Sequence, residues 1–162
     1  MSEFKNIRKA AENKAQEALE KLKTHSLKLA LAESCTAGLI SALIADTQGA
    51  SSYLWGSFVC YTREAKVSML GLDNETLCLV SRETAGAMAQ SALKKSGADI
   101  AAAVTGLAGP QGDGSSVPVG TVWISIASGR TEIKEFHFSG GRNSIRYQAA
   151  IAVFNEIINA LS

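Results

Sequence analysis

The sequence predicts an α/β fold, a three-layer α/β/α sandwich built on a mixed, mostly parallel sheet. Three observations lead there. Short apolar runs at 27–31 and 99–105 alternate with segments of helical periodicity, the order that makes parallel strands with helical crossovers. Two alternating segments near the end, 119–127 and 132–138, are joined by Ser128-Gly129-Arg130 and read as an antiparallel hairpin. Helical segments are numerous enough to cover both faces of such a sheet.

Residues 4–23 place Phe4, Ile7, Ala11, Ala15, Ala18 and Leu22 near one face, an amphipathic helix with a thin apolar stripe packed on the outside. Thr24-His25-Ser26 ends it. Leu27, Leu29 and Leu31 then alternate as in a strand, and Leu39, Ile40, Leu43 and Ile44 mark a helix over about 36–46. A loop at 47–52 leads to 53–61, whose second half reads as a strand around Phe58 and Val59. A helix over 62–70 stops at Gly71, and another opens at Ser81, runs to about Lys95 and stops at Gly97. The apolar run 99–105 is a buried strand. Loop 106–118 holds Gly106, Gly109, Gly112 and Gly114, and the helix 142–161 places Phe154, Ile157, Ile158 and Leu161 on one face. With no internal repeat and no linker, residues 1–162 read as one domain.

Composition narrows the function classes. A net charge of +1 removes the electrostatic case for general affinity toward nucleic acid or membrane. Three cysteines (Cys35, Cys60, Cys78) without a C-x-x-C pair suit reduced thiols, and their spacing supports no metal centre. There is no apolar run of membrane-spanning length and no signal-peptide core at the start, so a cytoplasmic location is expected.

Chemistry concentrates where the first strand becomes a helix, at Glu33-Ser34-Cys35-Thr36. A hydroxyl there sits beside backbone N–H groups without intrahelical partners, a place that favours a phosphate or a developing oxyanion. Two readings of Ser34 and Thr36 stand at this point: helix caps, or parts of a reactive turn. In sheets of this class ligands lie at the carboxyl ends of the strands. Those ends here carry Glu33-Ser34, Tyr61 and Thr105-Gly106.

Ala32-Glu33-Ser34-Cys35-Thr36-Ala37-Gly38, Gly49-Ala50-Ser51-Ser52, Tyr61 with Lys66, Val80-Ser81, Val104-Thr105-Gly106-Leu107-Ala108-Gly109-Pro110 and Pro118-Val119-Gly120-Thr121-Val122 together resemble the CinA C-terminal domain family, which includes bacterial nicotinamide mononucleotide (NMN) deamidases. The resemblance runs from about Leu27 to the last helix. It implies hydrolysis of the NMN carboxamide to nicotinate mononucleotide and ammonia, in pyridine-nucleotide recycling, by a serine nucleophile and a lysine base without a cofactor. It implies a small-molecule nucleotide as partner and leaves the oligomeric state open, a homo-oligomer included. The family holds stand-alone domains and domains fused behind a pyrophosphatase-like region; at 162 residues the stand-alone form is expected. Three departures bear on substrate fit and rate: Ala37 where a second glycine is usual, Cys78-Leu79 in place of Gly-Ala, and Gly141 where Asp commonly precedes the arginine. They motivate a rival reading, a nucleotide-binding or assembly domain with weak or lost catalysis.

Under the resemblance Ser34 is the nucleophile, with the N–H groups of Cys35 or Thr36 as oxyanion donors, and Lys66 is the base, against the plain reading of Lys66 as a solvated helix lysine. Tyr61 either bonds this pair or stacks on the pyridinium. Further substrate contacts are expected from Cys35, Thr36, Gly38, Ser51, Ser52, Thr105 and Gly106, and a phosphate would find Arg142 and Arg146 one turn apart at a helix start. Glu33 either orients Lys66 or packs as a paired carboxylate. Cys35 is a rival nucleophile, but only His25 and His137 could serve it as an imidazole base, and neither lies near the strand ends. Ser91 with Lys94, and Ser2 with Lys5, match S-x-x-K spacing without its companion motifs and read as surface features of helices.

Overall fold

The computed structural model describes residues 2–162. Its elements are α1 (Ser2–His25), β1 (Leu29–Glu33), α2 (Leu39–Ala45), a 3-10 turn (Ala50–Ser52), β2 (Leu54–Val59), α3 (Arg63–Leu70), α4 (Arg82–Ser96), β3 (Ile100–Gly106), β4 (Thr121–Ser128), β5 (Arg130–His137) and α5 (Arg142–Ala160). The sheet order is β2-β1-β3-β4-β5. β1 pairs in parallel with β2 and β3, while β4 is antiparallel to β3 and to β5. Four of the five strands therefore run the same way, in a mixed open sheet that is parallel at its centre. Helices cover both sides.

Alternation of large and small residues decides which helix goes where. Leu29 and Leu31 of β1, Ile100, Ala102 and Val104 of β3, and Val122, Ile124 and Ile126 of β4 face the layer formed by α1, α2 and α5. Ala30, Ala32, Ala101, Ala103 and Ala127 face α3 and α4. Side chains of a strand alternate between faces, so one face is built of branched residues and the other almost wholly of methyl groups. The thin face lets α4 approach closely: a Cβ added at Gly86 would lie 2.8 Å from Ile133 Cδ1. Both faces of β1 are buried, as expected of a central parallel strand.

Two expectations are corrected here. On the first helix the expected stripe residues Ala11, Ala15, Ala18 and Leu22 are fully buried, together with Leu19, in the same core as α5, and the opposite face is exposed. Small alanines bring the two helix backbones together, which a hydrophobicity stripe does not reveal. Phe4, placed on that stripe by the sequence, is 38% exposed and meets only the edge of the Tyr147 ring. The second helix begins at Leu39 rather than near 36, because Cys35–Gly38 form a turn in which Ala37 has φ 50° and Gly38 φ 89°. No helix is long and apolar enough to cross a membrane among the described residues.

Ala37 occupies a left-handed conformation that costs an L-residue with a Cβ roughly 1–2 kcal/mol. Ala37→Gly relieves that strain and adds about 0.4–1 kcal/mol of unfolded-chain entropy. The net expectation is a stabilisation of about 0.5–1 kcal/mol, read as a higher urea midpoint at unchanged slope.

Candidate active site

The carboxyl ends of β1, β2 and β3 lie side by side because the strands are parallel neighbours. Glu33 closes β1 and is fully buried. Its Oε2 accepts from Thr36 Oγ1 at 2.8 Å and from the N–H groups of Gly38 and Ile40, each at 3.0 Å. Its Oε1 accepts from the Ser41 N–H at 3.0 Å and from Ser57 Oγ at 3.1 Å. Five donors replace the water that a buried carboxylate loses, and three of them are backbone groups at the start of α2. Glu33 thus neither orients Lys66 nor pairs with a cation. It fastens α2 and β2 to the end of β1.

The turn so fastened presents Ser34. The Ser34 N–H donates to the Val104 carbonyl at 3.1 Å, and the Ala37 N–H donates to the Ser34 carbonyl at 3.0 Å. The N–H groups of Cys35 and Thr36 donate to no acceptor among the described residues. Ser34 Oγ lies 2.8 Å from Lys66 Nζ. Lys66 sits in the first turns of α3, where a side chain leans back toward the helix start, and so its amine also reaches the carbonyls of Cys60 at 3.0 Å and Tyr61 at 3.4 Å. An ammonium there has three acceptors. A neutral amine keeps both carbonyls for its two N–H groups and turns its lone pair to the serine hydroxyl.

Lys66 is 1% exposed, and none of its hydrogen-bond partners is a carboxylate. Burial lowers its pKa below the ordinary lysine value. Thiolates at Cys60 and Cys35 would raise it, but burial pushes Cys35 up to about 12 and Cys60 to about 11, so both are neutral thiols at pH 7. The positive charge of Arg63 lowers the Lys66 value further. The same burial argues against Cys35 as nucleophile, since the thiolate is the reactive form.

These groups line a pocket of about 250 Å³ that also takes in Tyr61, Leu79, Thr105 and the loop after β3 from Gly106 to Asp113. Thr105 Oγ1 donates to the Leu79 carbonyl at 2.7 Å, so its hydroxyl holds the wall. Gly106 must lack a side chain, because a Cβ there would lie 2.7 Å from the Thr121 carbonyl oxygen. At the mouth, Arg142 donates to the Gly109 carbonyl through Nη1 and to the Tyr61 hydroxyl through Nη2, both at 2.6 Å. A larger groove of about 600 Å³ runs along α4 past Leu72 and Ser91, but it brings no hydroxyl to a base; the Ser91 hydroxyl donates to the Leu70 carbonyl.

With this geometry in view, comparison with known proteins is informative. A family model for the CinA C-terminal domain matches residues 11–161. The chain belongs to the CinA C-terminal domain family. It is 48% identical over 127 residues to a CinA-like protein of Syntrophomonas wolfei, an alignment covering 76% of this chain and 30% of the relative. It is 45% identical over 141 residues to a putative competence-damage inducible protein of Caldicellulosiruptor saccharolyticus, covering 85% of this chain and 34% of the relative. The chain thus spans about a third of the length of these curated relatives. Its structure is similar to that of the competence/damage inducible protein CihA of Agrobacterium tumefaciens, with a TM-score of 0.87, 36% identity, and coverage of 94% and 95% of the two chains. A CinA superfamily protein of Klebsiella pneumoniae gives a TM-score of 0.89 at 28% identity, covering 93% and 97%.

Within this CinA domain the expected site residues divide. Ser34, Cys35, Tyr61, Lys66, Thr105, Gly106 and Arg142 meet at the pocket. Five others do not. Thr36 is fully buried with its hydroxyl spent on Glu33, the Gly38 N–H goes to the same carboxylate, and Arg146 donates to the Thr36 carbonyl at 2.7 Å instead of facing the pocket. Ser51 and Ser52 lie before β2, at the opposite end of the parallel strands from Ser34, and are exposed.

Leu79, Val80 and Asp113, none of them among the expected site residues, also line the pocket. Val80-Ser81 was visible as a motif, but Ser81 caps α4 by accepting from the Thr84 N–H, and it is the preceding residues that reach the site. Of the family departures, Leu79 places an isobutyl group on the wall where a methyl is usual. Gly141 occupies the N-cap of α5 with no side-chain cap, the position where the usual Asp would accept from the helix N–H groups. No group of three or more His, Cys, Asp or Glu is arranged to hold a metal among the described residues.

The buried amine makes stability depend on pH. Between the lowered folded-state pKa of Lys66 and the unfolded value near 10.5, the unfolded chain binds a proton that the folded chain does not. Stability from this group is therefore gained as pH rises through that window and is missing below it. Lys66→Met should remove that gain, so its urea midpoint relative to wild type should fall as pH rises through the folded-state pKa of Lys66 toward 10.5. Parallel pH profiles for the two proteins would show that Lys66 titrates normally.

Proposed function

We propose that this pocket hydrolyses the carboxamide of nicotinamide mononucleotide, giving nicotinate mononucleotide and ammonia, as a step in pyridine-nucleotide recycling. The observation that carries the reading is the buried Lys66 amine, lowered in pKa, 2.8 Å from Ser34 Oγ and without a carboxylate partner. A lysine buried in this way can be neutral near physiological pH and act as a base.

Ser34 Oγ attacks the carboxamide carbon as its proton passes to Lys66 Nζ. The carbonyl oxygen becomes an oxyanion beside the unpaired N–H group of Cys35. Collapse breaks the C–N bond, and the Lys66 proton leaves with the nitrogen as ammonia. The nicotinoyl ester on Ser34 is then attacked by water, which gives its proton to Lys66. The second collapse returns that proton to Ser34 and releases nicotinic acid mononucleotide, which gives its remaining acid proton to solvent to become the carboxylate. Tyr61, half exposed at the mouth with its hydroxyl on Arg142, offers its ring face to the pyridinium. Arg142 spends two of its five N–H donors on protein and retains others for the phosphate. Arg146 serves as a positioning residue through Thr36.

Incubation with NMN and measurement of ammonia tests the reaction. Release from wild type, with Ser34→Ala and Lys66→Arg each reduced by about 10²-fold or more, is expected, since guanidinium cannot accept the proton. Ammonia release by wild type no greater than by Ser34→Ala sinks the enzymatic reading and leaves a nucleotide-binding or assembly domain.

Activity should rise with pH through the folded-state pKa of Lys66, which burial holds below 10.5, because the base works only when deprotonated. Cys35→Ala should retain most of the turnover; its loss, with Ser34→Ala spared, would transfer the nucleophile role to the thiol.

A further inference from the structure

We infer that Asp113 is the specificity-determining counter-charge for the cationic ring of the substrate, an inference that rests on the proposed pyridinium nucleotide. Among the described residues that line the pocket, Asp113 is the single carboxylate. The other acid close to Ser34, Glu33, is sealed beneath the turn with both oxygens engaged. The fixed charge left on the wall is Arg142, with Lys66 neutral when it serves as the base, so a substrate with a fixed positive ring otherwise enters a pocket whose formal charge is of its own sign.

Asp113 is built to stay charged and in place. Its Oδ1 accepts from the Ser115 N–H at 3.0 Å and from Ser115 Oγ at 2.6 Å, and Ser115 Oγ in turn accepts from the Val117 N–H at 3.2 Å. The Ser115 hydroxyl and N–H hold the carboxyl below the usual carboxylate range. Oδ2 has no hydrogen-bond partner among the described residues, and the exposed side chain lines the pocket. The loop that carries Asp113 is pinned at its base, where the Leu107 N–H donates to the Thr121 carbonyl at 3.0 Å and the Gly120 N–H to the Leu107 carbonyl at 2.7 Å. Arg142 fixes its near side through Gly109. The pocket mouth thus carries a guanidinium and a carboxylate, the two signs that a ring cation and a phosphate on one nucleotide require.

The test is calorimetric binding in a Ser34→Ala background, where substrate is not consumed, with and without Asp113→Asn. Asparagine keeps the oxygen that Ser115 bonds and removes only the charge. The ligands are NMN and its dihydropyridine form, whose ring is neutral. Asp113→Asn should weaken NMN roughly threefold at low salt, the scale of a largely exposed ion pair, and the difference should shrink at about 0.5 M salt. Affinity for the neutral-ring form should not change. Equal weakening of both ligands would assign Asp113 to the ribose hydroxyls or to loop shape and overturn the inference, as would unchanged NMN affinity. If wild type releases ammonia from NMN while either of those results is found, only the Asp113 assignment fails. If NMN neither binds nor is hydrolysed, both readings fail together.

Discussion

A carboxylate without a counter-cation organises this domain. Glu33 ends the central strand fully buried, and its two oxygens gather five donors from the turn, from α2 and from β2. Removing any one of these donors would leave part of a buried charge uncompensated, so the turn, the helix start and the neighbouring strand are held as a unit. Because the amino end of α2 is already satisfied by Glu33, the helix does not take up the Ser34 hydroxyl as a cap. Ser34 is left free to face the other way, toward Lys66.

Lys66 is the complement to this arrangement. Glu33 is buried among five hydrogen-bond donors, whereas Lys66 is buried against neutral oxygens and burial lowers its pKa. The two lie on either side of Ser34 in the sequence and share no hydrogen bond. A carboxylate beside Lys66 would raise its pKa, and none hydrogen-bonds to it. Arginines tie the periphery to this centre: Arg146 reaches the Thr36 carbonyl, and Arg142 links the loop after β3 to Tyr61. Both come from the first two turns of α5, so the last helix of the chain braces the turn after the first strand.

The strain at Ala37 fits the same picture. Two successive left-handed residues, Ala37 and Gly38, let the chain leave β1 and begin α2 within a span short enough for one glutamate to reach four of its residues. A less abrupt turn would carry those N–H groups out of range.

Much of the architecture was determined by the sequence alone. The period-two and helical patterns located every strand and helix within a few residues, and Gly71, Gly97, Ser81 and Gly129 marked the element ends or turns at which they are found. The motifs at Ser34, Tyr61 with Lys66, and Thr105-Gly106 named residues that meet at one pocket, because local turns at strand ends are encoded locally. Tertiary structure decided what depends on distance. Alanines at 11, 15 and 18 look like a weak stripe until a second helix is found against them. Glu33 offered no sign of its partners, which come from donors as far along the chain as Ser57. Ser51 and Ser52 shared a motif with the site, yet a parallel strand carries its start and its end to opposite edges of the sheet. Whether a lysine is solvated or buried is a property of what surrounds it, and only packing seals the Lys66 amine beside Ser34.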